Sequence, residues 1–273
     1  MGRKCIITKV SIIKITRKSK YINLKSAILF QGNFSKNEIT CKFNEISSRK
    51  IDLILEKKAQ EVWRKTLEEA KEKGKKIWDQ PVYRLENYEV SKNKCSLEFS
   101  TIPFSIRYSL KDYSRELIKK GAEYLPMATY SSIFIETASG SYVFGEKSDH
   151  YMTNRKFTYI GGVFNRFEEK YEKVDIFRES ENEVKEELEV ANSDIASFRF
   201  LGTFRSESLN VGFIFYCKLK LTDKELMKRF EDRNDNELKS LFFVKRDKVR
   251  DVCINLIGKE PEMVDILENN IHE

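Results

Sequence analysis

Glu183, Glu186 and Glu187 stand at i, i+3 and i+4 in the stretch from Asp175 to Val190, a spacing that on an α-helix turns three carboxylates toward one side. Like charges so placed repel each other by roughly 0.2–0.5 kcal/mol per pair. A hard divalent cation relieves that repulsion, and Mg²⁺ or Mn²⁺ suits carboxylate oxygens better than zinc does. Taken alone, the triple acid reads first as the solvent face of a Glu-rich helix. The residues before it change that reading. A strand-like stretch, Phe157 to Ile160, runs into Gly161-Gly162, and Glu168 follows Gly162 after five intervening residues. A glycine pair lets the backbone approach a ligand or ion closely. Phe177, Val184 and Leu188 fall roughly 120° from the acids on the same helix and can anchor it to a sheet.

Other chemistries are poorly supplied. With only two histidines, His150 and His272, a histidine-rich metal site is excluded and a Ser-His-Asp or Cys-His triad is hard to build. The five cysteines are widely spread without a C-x-x-C pair, which disfavours a disulfide framework or zinc ribbon. Hydrolysis would therefore run on carboxylates or hydroxyls. Glu186 or Glu187 could act as base, with Glu237, in a loop before a strand, as a further candidate. Arg84, Arg107 and Lys147 are cations that could meet phosphate. Tyr83 and Phe104 read first as core aromatics and second as rings for stacking on a base.

The elements that must position these groups can be traced along the 273 residues. Residues 4–30 read as strands around a turn near Ser19. Residues 50–76 read as a helix with an apolar stripe of Ile51, Ile54, Leu55, Val62, Trp63 and Leu67, ended by Gly74. Strands are expected at Tyr83–Val90, Ser96–Thr101 and Ser105–Tyr108, then a helix from Ser109 to Tyr124 closed by Pro126. Residues 129–137 and 141–146 form a hairpin on Ser139-Gly140. After the glycine pair come a helix over 175–190, strands at 197–206 and 211–221, a short helix at 222–231, a strand at 241–245 and two terminal helices. The longest apolar run, Val211 to Cys217, is far short of the ~18 residues that cross a bilayer. The N-terminus lacks the pattern of a signal peptide, so a soluble, cytoplasmic protein with no membrane partner is expected. Residues 1–80 hold twenty Lys and Arg against nine Asp and Glu, a basic front third on a chain of net charge +7. Such a region could meet phosphates or nucleic acid, and more simply is a solvated helix face.

In register, the segment resembles the signature of the Nudix superfamily: Gly, five residues, Glu, seven residues, then Arg-Glu-U-x-Glu-Glu-x-Gly-U with U bulky and aliphatic. Gly162 and Glu168 fit its first part; Glu183, Val184, Glu186, Glu187 and Val190 fit its last. The chain departs from it in three places: thirteen residues separate Glu168 from the arginine position, that position is Asn182, and the late glycine is Glu189. In the family the arginine helps fix the loop acid against the helix, a bidentate task that Asn cannot perform. Arg178, one turn upstream, is the candidate to replace it. Within the superfamily the chain is similar to the UDP-glucose pyrophosphatase type from Trp78 to Val244, through DQPVYRLENYEV, SLEFSTIPF, VFGEKS, LKLTDKEL and NELKSLFFV in order.

The resemblance implies a Nudix α/β/α sandwich with a mixed sheet over residues 127–273, preceded by a basic α+β region over 1–126. It implies a metal-dependent pyrophosphatase that cleaves UDP-glucose or UDP-galactose to UMP and sugar 1-phosphate, using Mg²⁺ or Mn²⁺. The metal positions would be Gly162 through its carbonyl, Glu183, Glu186 and Glu187, with Glu186 and Glu187 also catalytic. Glu168 and Arg178 would support them from behind, and Arg84, Lys147 and Glu237 would face the nucleotide-sugar. The alternatives are hydrolysis of another nucleoside diphosphate, such as ADP-ribose or capped RNA, and a catalytically silent nucleotide sensor. The front third carries no recognisable RNA-binding motif, which ranks capped RNA lower.

Overall fold

Side chains of Val211–Leu219 alternate between two apolar interiors: Phe213, Phe215 and Cys217 enter one, Ile214 and Tyr216 the other. A strand buried on both faces must be covered by elements on both sides, and that requirement organises the chain. The computed structural model describes residues 26–75, 77–148, 156–165, 174–233, 236–258 and 261–271. The elements in order are β1 (Ala27–Phe34), β2 (Ile39–Phe43), α1 (Leu53–Glu72), β3 (Pro81–Ser91), β4 (Lys94–Pro103), α2 (Phe104–Ser109), α3 (Ser114–Lys120), β5 (Thr129–Glu136), β6 (Ser141–Lys147), β7 (Phe157–Thr158), α4 (Ile176–Leu188), β8 (Ile195–Arg205), β9 (Val211–Leu219), α5 (Asp223–Glu231), β10 (Leu238–Lys245), α6 (Val249–Asp251) and α7 (Pro261–Asn270).

The large sheet runs β1-β8-β9-β5-β6-β10, with β7 added to β6. It is mixed: β5 lies parallel to β9, and the other pairs are antiparallel. On one face α4 and α5 deliver Ile176, Phe177, Val184, Leu188, Leu226 and Phe230 to a core shared with Ile133, Ile135 and Phe215. On the other, Met263, Val264, Ile266 and Leu267 of α7 meet Phe134, Phe204 and Ile214. The result is the expected α/β/α sandwich with a mixed sheet. A second sheet, β2-β4-β3, stands beside it. Its Tyr83, Leu85, Leu97 and Phe99 join the α4-side core, and β1 hydrogen-bonds to β8, so residues before 127 contribute to the large sheet. Among the described residues no helix is long and apolar enough to cross a membrane.

Several expectations change. Residues 4–25 of the first strand pair lie outside the described residues. Helix α1 forms, with Asp52 accepting from the Ile54 and Leu55 amides as its N-cap. Its buried face is Leu55, Ala59, Thr66 and Ala70, whereas Ile51, Ile54 and Leu67 of the expected stripe are exposed. Small residues at helical spacing let α1 approach closely, and hydropathy alone overlooks them. Ser105–Tyr108 belongs to the helix α2, not a strand. Phe104 and Tyr108, four residues apart, both meet the Trp63 ring of α1, a pairing that helical spacing allows. The single helix expected from Ser109 is divided at Gly121, whose φ of +129° disfavours any side chain.

Candidate functional site

The helix carrying the acids is fixed at its start. Asp175 Oδ1 accepts the amides of Phe177 (3.1 Å) and Arg178 (3.0 Å), and its Oδ2 lies 2.7 Å from Lys36 Nζ. The Phe177 ring packs edge-on against Phe198 and Phe215, setting the helix rotation. With that face inward, Glu183 and Glu187 turn toward Gly161 and Gly162. The two are 40° apart in helical projection, while Glu186 lies 60° beyond Glu183 on the far side. Glu187 is accordingly buried and Glu186 exposed. The three acids therefore do not converge equally: two face inward and one stands at the rim.

The glycine pair is shaped for this approach. Gly161 N–H donates to Glu187 Oε1 at 3.1 Å. Gly162 N–H donates to Ser131 Oγ at 3.2 Å, and its carbonyl accepts the Ser131 amide at 2.8 Å and, more weakly, the Ser131 hydroxyl at 3.4 Å. Gly161 has φ +134°, and a Cβ there would overlap the Ser131 carbonyl; at Gly162 a Cβ would overlap the Glu183 carboxylate. No other residue fits either position without displacement.

Burial and mutual repulsion shape the electrostatics. Burial pushes the Glu183 carboxyl up to about 7, with the charges of Glu237 and Glu186 adding to it. Burial also raises Glu187 well above the usual carboxylate range, helped by Glu183 and Glu237 and opposed by the Gly161 amide and Lys147. Glu179, one turn before Glu183, is raised by burial too. Glu237, ahead of β10, and Lys147, at the end of β6, come together with Nζ 3.5 Å from Oε1. The pairing of Leu238 with Lys147 across β10 and β6 brings them there. Glu237, Lys147, Glu183 and Glu187 thus form one electrostatic neighbourhood around the glycines.

Arg84 departs from the expectation. Its side chain is buried, ion-paired with Glu86, and its Nε and Nη2 lie 3.4 Å from the Leu125 carbonyl. A guanidinium so engaged is a structural cation, not a phosphate clamp. Arg178 sits close enough to Asp175 and Glu179 to lower both. Glu168 lies outside the described residues. Among the described residues no group of three or more His, Cys, Asp or Glu side chains is arranged to hold a metal ion. Ser131 and Glu179 went unnoticed in the sequence: Glu179 shares the helical spacing of Glu183, whereas nothing local marks Ser131.

No protein-family model matches the chain. No curated protein matches it either. Solved structures resemble part of it. The MutT protein from Methanosarcina mazei Go1 aligns with a TM-score of 0.34 and 14% identity over 52% of this chain and 91% of that one. A Nudix hydrolase from Nitrosomonas europaea aligns with a TM-score of 0.31 and 12% identity over 52% and 86%. A bifunctional NMN adenylyltransferase/ADP ribose pyrophosphatase from Francisella tularensis aligns with a TM-score of 0.38 and 11% identity over 60% and 47%. At these identities and scores the likeness assigns no activity to this chain.

Proposed function

We propose that the chain is a Nudix-type hydrolase that cleaves the diphosphate of a nucleoside diphosphate derivative, with UDP-sugars as its first substrate class. The observation that carries this is the seating of Glu183 and Glu187 against the Gly161-Gly162 backbone, in the register of the motif.

The donor set suits a hard divalent cation. Two buried carboxylates with raised pKa values are a poor arrangement for the protein alone and a good one for Mg²⁺ or Mn²⁺. Glu183, Glu186, Glu187 and the Gly162 carbonyl would hold it, the carbonyl giving up its weak contact with the Ser131 hydroxyl. Such an ion neutralises diphosphate charge and acidifies a coordinated water. The chain's own groups do the rest. Gly161 N–H fixes the orientation of Glu187 through Oε1. Glu186, exposed at the rim, is open to take a proton from water. Lys147 places positive charge beside Glu237, near enough to Glu187 to influence it, and would offset the charge of an anionic substrate there. Arg178 and Glu168 would brace the helix against the loop, and the unit reaches in front of residue 127, since β1 pairs with β8 and β3 and β4 share the core of α4.

The test is direct. Purified protein with Mg²⁺ is incubated with UDP-glucose, ADP-ribose and a capped oligonucleotide, and the products are followed. UMP release abolished by Glu187→Gln supports the proposal. Absence of cleavage of every substrate, with nucleotide binding intact, supports the silent sensor instead.

A further inference from the structure

Two arginines drawn into this protein have partners: Arg49 is paired with Glu56 and bonded to the Tyr124 carbonyl, and Arg84 is paired with Glu86. Arg107 is different. Its Nε is sealed from solvent and donates to no acceptor, and the guanidinium makes no ion pair or hydrogen bond with any described residue. Its ring contact is with Phe104, whose centroid lies 5.3 Å from Cζ. A cation–π contact contributes about 0.5–2 kcal/mol, less than the several kcal/mol it costs to desolvate an ion. Burial accordingly lowers the Arg107 pKa. The described residues do not account for a guanidinium held in this place; an anion would.

The neighbours say which anion. Tyr130 and Tyr159 are the titratable groups near enough to influence Arg107, both neutral phenols near pH 7 that give it no counter-charge. Tyr130 directly precedes Ser131, which holds Gly162, and Tyr159 lies two residues before Gly161. Tyr130 and Ser131 are adjacent in β5, so their side chains leave opposite faces of the sheet. Arg107 is therefore within electrostatic reach of residues that adjoin, in the chain, Ser131 and the glycine pair it holds. Beside it, Phe104 packs on Trp78 with centroids 4.8 Å apart, and Trp78 is 43% exposed. A guanidinium fork next to an accessible indole suits a phosphate attached to an aromatic base.

We propose that Arg107 anchors the phosphate on the nucleoside side of the ligand, with Trp78 and Phe104 as the adjoining aromatic wall. This extends the hydrolase reading by naming the group that holds the half of the substrate bearing the base. Arg84, the other arginine of this region, is already committed to Glu86.

The full-length protein in EDTA is titrated with UMP, AMP, the two nucleosides and inorganic phosphate, by calorimetry and by fluorescence of Trp63 and Trp78. Wild type should bind a nucleotide at least tenfold more tightly than its nucleoside. Arg107→Met should lose that increment and have a ligand-free Tm no lower than wild type, since it removes an unmatched charge. Arg107→Lys, which keeps charge without the fork, should fall between. Equal nucleotide affinity in wild type and Arg107→Met, or no preference for nucleotide over nucleoside in wild type, overturns the assignment. If Arg107→Met does not fold, the lysine variant decides: unchanged affinity overturns, a partial loss upholds. Because metal-free binding needs no turnover, a wild type that binds UMP through Arg107 yet hydrolyses nothing defeats the hydrolase reading and leaves this site standing.

Discussion

Lys147 Nζ stands 3.5 Å from Oε1 of Glu237, ninety residues away in the chain. The charge of Glu237 reaches both Glu183 and Glu187, so one mutation at Glu237 should be felt by both. Glu237→Gln removes a negative charge that raises each of them. The Glu183 carboxyl, about 7 in the metal-free protein, should then titrate at lower pH. Carboxylate NMR of ¹³C-labelled protein checks this, and an unmoved Glu183 signal would refute the coupling.

Metal-free stability should depend on pH in an unusual direction. Glu183 has a folded pKa of about 7 and Glu187 is raised as well, against an unfolded value of roughly 4.3. Groups raised in this way bind more protons in the folded state. Their carboxyls sit comfortably below the unfolded pKa, and stability is lost as pH rises from there through about 7. The melting temperature in EDTA should therefore be several degrees higher at pH 5.5 than at pH 8. Added Mg²⁺ or Mn²⁺ should restore it at pH 8 and do little at pH 5.5, releasing protons as it binds. A metal-independent melting temperature at pH 8 would count against the cation site.

Gly162→Ala should separate folding from activity. The added methyl overlaps the Glu183 carboxylate, not backbone, so the side chain must swing away while the sheet survives. The expected outcome is a far-UV circular dichroism spectrum like wild type and UDP-glucose hydrolysis reduced at least about tenfold, as expected when a charge-stabilising group is misplaced. Gly161→Ala meets the Ser131 backbone and should in addition lower stability.

Arg84 and Glu86 should behave as a structural pair. Burial disfavours the Glu86 charge, but hydrogen bonds from Ser100 and Ser48 and the charge of Arg84 outweigh it and hold its pKa down to about 2. Its contribution to stability is present above the unfolded pKa and is lost as pH falls toward about 2. Glu86→Gln leaves a buried guanidinium without its counter-charge, and urea unfolding at pH 7 should show a loss of about 3–5 kcal/mol. The same variant should leave Mg²⁺ affinity unchanged, which distinguishes this pair from the site.

The hairpin of β5 and β6 and the helices α4 and α5 were legible because their signals are local. Asp175 before an amphipathic run, Thr222 three residues before Glu225, and Ser139-Gly140 between alternating strands each mark an element by chemistry within a few residues. The same holds for Glu183 and Glu187, whose spacing puts both on one side of a helix. Where apolar residues abound without a clean period, local reading failed: Ser105–Tyr108 became helix because Trp63, forty residues earlier, receives Phe104 and Tyr108 together. The buried face of α1 escaped notice because Ala59, Thr66 and Ala70 carry little hydropathy.

Most of the order of elements along the chain and the acids beside a glycine pair follow from the sequence, since propensity, periodicity and capping act over a turn or a strand; the layered architecture came only with the resemblance. Which acids look inward, that Glu237 and Lys147 join them, and that Arg84 is spent on Glu86 while Arg107 has no counter-charge among the described residues, were decided by the tertiary structure. Charge and burial depend on what stands a few ångströms away in space, and strand pairing across ninety residues sets that distance where no local rule can.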